Sequence, residues 1–260
     1  MLSSDDNAVR PGDLLVRPLP GVPRVAKGVD VAMLALAALD RAGLGPQDGD
    51  ILVFAQKIIS KSEGRSIALN GVTPSARAET LAAETGKDAR IVELILQEST
   101  DVLRRRPGVI VVEHRLGLVL ANAGIDQSNV DAGHALLLPV DPNASAARIR
   151  QDIREATAVD VAVLIIDSIG RAWRLGTVGT TIGASGIATF LDLRGQPDLN
   201  GRRLESSEIG YADELASAAS LIMGQAAEGM PIVLIRGAPY ARREGSAADL
   251  LRPKAMDLFR

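Results

Sequence analysis

Asp167 and Ser168 place a carboxylate and a hydroxyl directly after residues 161–166, a run of six apolar residues typical of a fully buried strand. Ligands tend to bind at the carboxyl ends of strands in open sheets, and hard oxygen ligands suit a divalent metal on phosphate oxygens. Arg171 and Arg174 follow within seven residues and can hold an anionic group. An Asp that only caps the next turn explains the same pattern equally well.

A second carboxylate follows another apolar segment. Residues 117–121 predict a strand that runs into a polar, glycine-containing turn carrying Asp126. Two buried strands that each end at an Asp would supply the oxygen ligands that Mg²⁺ or Mn²⁺ takes together with substrate phosphates. Asn122 and Asn129 can orient a ligand, although asparagines in such turns more often hydrogen-bond the local backbone.

Lys57 and Lys61 form the third group of side chains that could bind a ligand, directly after an apolar strand at residues 49–55. A spacing of four places both lysines on one side of a helix, and also on one side of a strand. They can therefore act as a two-point clamp for phosphate, although a solvated lysine pair is the commoner meaning of this spacing.

The elements that must position these side chains follow from periodicity and end signals. Helices are predicted at 29–42, 75–85, 87–97, 145–157 (capped by Asn143 or Ser145) and 211–227, and strands at 49–55, 109–113, 117–121, 161–166 and 231–236. This order predicts an α+β fold of mixed sheets with flanking helices. Trp173 is interpreted as a packing residue that fixes Arg171 and Arg174, with a contact to the substrate as the alternative.

Composition restricts the class of protein. With 260 residues, 47% of them apolar, the chain can bury a substantial core. The absence of cysteine excludes thiolate metal sites, and two histidines argue against a histidine-rich one. A net charge of −3 argues against nucleic-acid binding, which usually requires a basic surface. With neither a signal-peptide pattern nor an apolar run near roughly 18 residues, we expect no membrane association and a cytoplasmic location.

Glycines crowd the segment 176–195, where they indicate tight turns or close strand crossings more often than phosphate binding. The strand–GxxxxGK[ST]–helix unit is missing, which excludes a P-loop, and no GxGxxG follows a first strand, which argues against a Rossmann dinucleotide site. Any nucleotide must therefore bind in another arrangement.

Five separated blocks, at 49–65, 121–129, 167–174, 192–195 and 212–225, resemble the coenzyme F-420:L-glutamate ligases, the CofE family. The resemblance extends over nearly the whole chain, from residue 19 to residue 237. It implies a GTP-dependent enzyme that adds L-glutamate to the lactyl carboxylate of the deazaflavin coenzyme precursor through an acyl phosphate. It also implies a CofE-like fold in an intertwined homodimer, here one unit over 1–260 with a candidate subdomain at about 176–210 and a loose lead-in at 1–11.

The resemblance also assigns roles to residues. The implied metal ligands, for Mg²⁺ or Mn²⁺ with a second ion and K⁺ also compatible, are Asp126, Asp167, Ser168 and Gln225. The implied nucleotide-contacting residues are Leu19, Pro20, Gly21, Val22, Gln56, Lys57, Lys61, Asn129, Met223 and Gly224, the last two in the loop 223–230. We take Asp126, Asp167, Arg171 and Arg174 as the catalytic residues.

Three departures from the family pattern qualify this assignment. Gln56 stands where Ser or Thr is common, and Gln225 where a charged side chain is expected. After Arg174 the family usually continues with a run like Gly-Gln-Thr-Asp, whereas residues 176–181 contain no acid. The alternatives are a ligase with a different acceptor, a metal-dependent phosphohydrolase or phosphotransferase, and a non-catalytic nucleotide-binding relative.

Overall fold

The elements of the fold are known for residues 12–258, which the computed structural model describes; the lead-in expected at 1–11 lies outside the described residues. The strands are β1 (Leu15–Pro18), β2 (Ile51–Ala55), β3 (Ser66–Ala68), β4 (Ser99–Arg106), β5 (Val109–His114), β6 (Val119–Ala121), β7 (His134–Leu136), β8 (Ala162–Gly170), β9 (Thr177–Ser185), β10 (Leu191–Asp192), β11 (Glu208–Ile209) and β12 (Ile232–Arg236). The helices are α1 (Val31–Arg41), α2 (Gln56–Ser62), α3 (Ala76–Thr85), α4 (Ala89–Gln97), α5 (Pro142–Thr157) and α6 (Tyr211–Met223).

The largest sheet has five strands in the order β1-β12-β2-β8-β9. Strands β2 and β8 are parallel neighbours, and the other pairs are antiparallel. The apolar runs of β2, β8 and β12 suit this position because both faces of the sheet are covered. The last paired residues of the parallel strands are Ala55 and Ile166, so Gln56 and Asp167 follow them at the same edge.

Helices cover both faces of this sheet. On one face, α1, α2 and α5 bury apolar residues such as Leu39, Ile59 and Ile153 against alternate residues of β2, β8 and β12. On the other face, α6 packs Leu215, Ala216 and Ala219 against the remaining residues of the same strands. A third core lies between α3, α4 and β5, beside the three-stranded sheet β4-β5-β6.

The glycines of β9 allow helices to approach it from both sides. A Cβ atom at Gly179 would lie 2.3 Å from the carbonyl oxygen of Ala216 in α6, and one at Gly183 would lie 2.4 Å from that of Pro142 in α5. Gly179 and Gly183 face opposite sides although they are four residues apart, because a bulge at Ile182 shifts the alternation of the strand. Gly179 and Gly183 thus mark close helix packing, whereas Gly176, Gly186 and Gly195 have positive φ values and lie in turns, as predicted.

Both predicted carboxylate-bearing strands differ from expectation. Asp167 does not end its strand, because β8 continues to Gly170 and pairs Asp167 with Thr180 of β9. The expectation of a buried strand that ends at Asp126 is wrong. Strand β6 is three residues long, and Asp126 lies five residues beyond it, where an isolated bridge pairs it with Leu136.

The predicted helices agree with the structure in type, with changes at their ends. Helix α5 begins at Pro142 and is capped by Asp141, which accepts a hydrogen bond from the Ala144 amide, not by Asn143 or Ser145. Helix α6 ends at Met223 and not near residue 227, because Gly224 has a φ of 78°. Trp173 is 87% exposed in the turn between β8 and β9, so it does not pack in the core, and its expected role in fixing Arg171 and Arg174 stays a prediction.

The α+β class predicted from the sequence is confirmed by these mixed sheets and flanking helices. Of the candidate subdomain at about 176–210, residues 177–185 belong to the five-stranded sheet, and the remainder contains the short β10–β11 pair. The division into domains stays a prediction. Over residues 12–258, no helix is both long and apolar enough to cross a membrane.

Candidate active site

A cavity of about 530 Å³ opens at the edge of the five-stranded sheet where β2 and β8 end their parallel pairing. Its floor is formed by Gln56, Asp167 and Ser168. Its walls come from residues 22–25, from the 121–129 loop and from the end of α6 with the 223–231 loop. Five separate parts of the chain therefore meet at one cavity, as the sequence predicted for the carboxylates and lysines.

Asp126 is held by a compact set of polar contacts. Its Oδ2 lies 2.5 Å from Lys57 Nζ, which also donates to Ser128 Oγ at 2.8 Å. Its Oδ1 accepts from the Ser128 amide at 2.6 Å. Burial acts to raise the pKa of Asp126, but the hydrogen bonds from Lys57 and Ser128 outweigh it and hold the pKa below its ordinary value. Asp126 is therefore an anion in this cavity.

The pKa of Asp167 is shifted in the opposite direction, upward. Burial raises the pKa of this carboxyl, against the opposing effect of a hydrogen bond from the Ser168 amide to Oδ1 at 2.8 Å. Lys57 and Asp126 are both close enough to affect it, and Gln56 hydrogen-bonds it. A buried carboxylate with a raised pKa gains stability when a cation is bound beside it.

Ser168 and Gln225 complete the set of oxygen atoms. Ser168 Oγ donates to Gln225 Oε1 at 2.6 Å, and Gln225 Nε2 donates to Ser220 Oγ at 3.0 Å. The amide oxygen of Gln225 is thus turned toward Ser168. Two carboxylates, a hydroxyl and an amide oxygen are hard ligands of the kind that Mg²⁺ and Mn²⁺ prefer, so these residues fit such an ion. No group of three or more His, Cys, Asp or Glu side chains gathers among residues 12–258, so charge at this centre comes from two carboxylates.

Lys57 and Lys61 lie one turn apart on α2, and both line the cavity. Lys61 Nζ donates to the backbone oxygen of Asn129 at 2.6 Å. Burial lowers the pKa of Lys61, and the positive charges of Lys57 and Arg24 lower it further. Three cationic side chains around one cavity attract an anion, because each repels the others until negative charge is bound.

The predicted nucleotide-contacting residues fall into two groups. Those that line the cavity are Val22, Gln56, Lys57, Lys61, Asn129, Met223 and Gly224. Leu19 does not, because its side chain is fully buried in the core. Pro20 and Gly21 lie between Leu19 and the cavity wall and do not line it. Gln56 is itself buried, and its Oε1 accepts from Ser60 Oγ at 2.8 Å.

Arg171 and Arg174 are not brought to the cavity. They lie in the exposed turn between β8 and β9, beyond Gly170, together with Trp173 and the fully exposed Leu175. Each residue of a strand advances the chain by roughly 3.3 Å, so Arg171 lies about 13 Å along β8 from Asp167. Within one chain these arginines cannot share a small substrate with the two carboxylates.

The sequence did not single out Arg24, Ser128, Ser220 or Glu228, all of which line the cavity. Ser128 had a usable signal, because it lies between Asp126 and Asn129 in the same polar turn. Glu228 had none. Its side chain folds across Gly224 and accepts from the Ala226 amide at 2.8 Å, which shapes the loop beside Gln225.

The protein is thus an α+β protein with a cavity whose lining includes Asp126, Asp167, Lys57, Lys61 and Arg24. Residues 21–237 match the sequence profile of a family described as F420-0:Gamma-glutamyl ligase. The chain is 48% identical over 242 residues to the coenzyme F420:L-glutamate ligase of Methanothermobacter thermautotrophicus, covering 92% of this chain and 96% of the relative.

Two further relatives carry the same name. The protein of Methanopyrus kandleri is 43% identical, covering 95% of this chain and 98% of its own length. The protein of Archaeoglobus fulgidus is 42% identical, covering 94% of this chain and 96% of its own. The chain belongs to the F420-0:gamma-glutamyl ligase family, which confirms the resemblance found from the five sequence blocks.

Proposed function

We propose that this protein joins L-glutamate to the carboxylate of a coenzyme F-420 precursor, at the expense of GTP and with Mg²⁺ or Mn²⁺ bound. The observation that carries the proposal is the meeting of Asp126, Asp167, Lys57 and Lys61 in one cavity. The names of the relatives support the acceptor and the amino acid. The charges support a phosphorylated nucleotide, because the cavity combines anionic oxygen ligands with the cationic side chains of Lys57, Lys61 and Arg24.

Amide formation explains why such a cavity is needed. A carboxylate is a poor electrophile at neutral pH, so a carboxylate oxygen of the precursor first attacks the γ-phosphorus of GTP. The bond from the γ-phosphorus to its bridging oxygen breaks and GDP leaves. The amine of glutamate then attacks the carbonyl carbon of the acyl phosphate, the C–O bond to phosphate breaks, and inorganic phosphate and one proton are released to water. Both transfers depend on positioning and on neutralised charge.

The side chains divide this task between them. Lys57 and Lys61 would donate to phosphate oxygens from one face of α2. Asp126, Asp167, Ser168 and Gln225 would hold the divalent ion, which supplies charge neutralisation on the transferring phosphoryl group. Lys57 already contacts Asp126, so its ammonium group lies beside one of the proposed metal ligands.

A homodimer, which the family resemblance implies, is part of the proposal. Residues 177–190 are not an apolar surface for a partner, because most of them are buried within the chain by α5 and α6. Instead Trp173 and Leu175 at the tip of the β8–β9 hairpin are almost fully exposed. Large apolar side chains at an exposed tip favour burial against a second copy, which would also bring Arg171 and Arg174 to a cavity other than their own.

The decisive experiment is mass spectrometry of the purified protein incubated with the unglutamylated coenzyme, GTP, Mn²⁺ and L-glutamate. A product heavier by one or more glutamyl residues is expected. GTP hydrolysis that does not depend on glutamate would instead indicate a phosphohydrolase, and nucleotide binding without any turnover would indicate a non-catalytic relative. A product formed only with another amino acid or acceptor would keep the ligase class and change the substrate.

Two variants test the assignment of the carboxylates. Asp126→Asn and Asp167→Asn keep the shape of the side chains but lose the charge, so each is expected to remove most of the activity. The control is Asp160→Asn, which removes a carboxylate that pairs with Arg150 outside the cavity. Full activity of either cavity variant at ordinary metal concentration would contradict the assignment.

A further inference from the structure

A buried ionic cluster lies below the cavity and is not part of it. Its centre is Glu98, which is 8% exposed at the end of α4. Its Oε2 accepts from Arg65 at 2.7 Å and from Arg115 Nε at 3.0 Å, and it lies 3.5 Å from His114 Nε2. Hydrogen bonds and charge from these partners outweigh burial and lower the pKa of Glu98 to about 2, so it remains an anion. Removing one partner from such a cluster is costly, because it leaves the other charges buried without compensation.

The two arginines extend the cluster to residues 137–140, which we call the strap. The side chain of Arg65 donates from Nε to the Leu138 oxygen at 2.9 Å, and the backbone oxygen of Arg65 accepts from the Leu137 amide at 3.2 Å. Arg115 donates to the Val140 oxygen at 2.8 Å and to the Pro139 oxygen at 3.4 Å. Glu98 is the shared anion between both guanidinium groups, so it fixes the arginines that grip the strap.

The strap is joined directly to the loop that carries Asp126. Leu136, the residue before the strap, exchanges two backbone hydrogen bonds with Asp126, at 3.0 and 2.8 Å. The side chain of Leu138 packs on Gly124, where a Cβ atom would lie 3.0 Å from it. Glu98 is thus connected to Asp126 through the side chains of Arg65 and Arg115 and through the backbone of the strap and Leu136.

We propose that Glu98 is a positioning residue for Asp126: through Arg65, Arg115 and the strap, it sets the place of that carboxylate relative to α2. This inference rests on the proposed function for the role of Asp126 as a metal ligand. Helix α2 is anchored separately in the main core by Ile58 and Ile59, although its C-cap residue Glu63 also accepts a hydrogen bond from the Val140 amide of the strap at 3.0 Å. Loss of Glu98 is therefore expected to move the carboxylate side of the cavity more than the lysine side.

The test compares Glu98→Gln with the wild-type protein in binding of Mn²⁺ alone, measured by electron paramagnetic resonance. Residues that orient metal ligands typically change metal affinity by about 10- to 100-fold, and a loss of at least about tenfold is expected here. The affinity for GTP measured without metal is expected to change less than about twofold. Arg115→Lys is the milder second variant, because it weakens the grip on Val140 and Pro139 and keeps the contact between Glu98 and Arg65.

Asp50→Asn is the matched control. Asp50 is also buried and bound by an arginine, Arg236, through two hydrogen bonds of 2.7 Å, but this pair lies at the other end of β2. It should lower stability without lowering Mn²⁺ affinity. If Glu98→Gln lowers stability as Asp50→Asn does and binds Mn²⁺ like the wild type, Glu98 is only a structural residue and the proposal is overturned.

A readout without metal separates this proposal from the proposed function. Amide hydrogen exchange in Glu98→Gln is expected to rise at Asp126, Leu136 and the strap, and to rise less in α2, which the main core also holds. Unchanged exchange at Asp126 and Leu136 would refute the positioning role whatever the metal result. Conversely, if Asp126→Asn binds Mn²⁺ as tightly as the wild type, the metal assignment fails while increased exchange still supports the path from Glu98 to Asp126.

Discussion

Gly179→Ala should be one of the most damaging single-methyl changes in this protein. A Cβ atom there would lie 2.3 Å from the Ala216 oxygen and 2.5 Å from Ser220 Cβ, where contacts of 3.4 Å or more are ordinary. Neither neighbour is the flexible end of a side chain, so helix α6 must retreat by about 1 Å. Overpacking of this kind lowers the free energy of unfolding by roughly 1–3 kcal/mol. Ala also reduces the conformational entropy of the unfolded chain, which raises the free energy of unfolding by at most about 1 kcal/mol. We expect a net loss of about 2 kcal/mol.

The same displacement should reach the cavity. Ser220 receives the hydrogen bond of Gln225 Nε2, and Gln225 in turn accepts from Ser168. A retreat of α6 therefore draws Gln225 away from Ser168, so the metal concentration for half-maximal activity should rise together with the loss of stability.

Urea unfolding followed by far-UV circular dichroism measures the stability change. Fluorescence is less suitable because Trp173 is the single tryptophan and is already exposed. The matched control is Gly170→Ala in β8, where a Cβ atom would meet nothing within 4 Å, so its effect should lie within about 0.5 kcal/mol. Equal stability of Gly179→Ala and the wild type would refute the close packing of α6 on β9.

Four further predictions address the site and the assembly. Lys61→Ala should weaken GTP binding by about tenfold and guanosine binding hardly at all, because the lost charge acts on phosphates; equal losses in calorimetry would mean that the lysine shapes the pocket. Thr180→Asp places an acid opposite Asp167 and should lower the metal concentration for half-maximal rate; an unchanged metal requirement would make the missing acid a neutral difference. Because the pKa of Glu98 is lowered from 4.5 to about 2, its pairing stabilises the fold above about pH 4.5 and is lost as the pH falls toward 2. The deficit of Glu98→Gln in unfolding free energy should thus be full at pH 7 and shrink near pH 3, and a constant deficit would contradict this linkage. Light scattering at micromolar concentration should give a dimer, and an active monomer would refute the assembly.

Local signals predicted most of the elements because the residues that define them are close in sequence. The apolar runs of β2, β8 and β12 and the spacing in α1 and α4 carry their own information. The extension of β8 through Asp167 was missed, since pairing with β9 stabilises polar residues as a strand and no local pattern reports it. The exposure of Trp173 was missed because residue type alone does not show whether an aromatic side chain packs in the core or lies at the tip of a hairpin.

The site was predicted better in its residues than in its geometry. Residue type alone identified Lys57, Lys61 and Asp167, and α2 places the two lysines as their spacing required. The means by which Asp126 reaches the cavity was not predictable, because it depends on a bridge to Leu136 and on arginines that bind the strap. The place of Arg171 and Arg174 depends on the length of a hairpin, which the sequence did not define.

The position of β12 has a consequence for the order in which the protein folds. This strand is the last in the sequence of the described chain and lies in the sheet between β1, the first strand, and β2. Strand β1 has no neighbour in the sheet until residues 232–236 have been synthesised, so contacts between distant parts of the chain must close the sheet late. The cavity edge depends on the same closure, because Pro231 lines it and hydrogen-bonds Ala55. A nascent chain that has already formed α1 to α5 thus still lacks a competent binding site, and folding should proceed slowly compared with a protein of the same size built from local contacts.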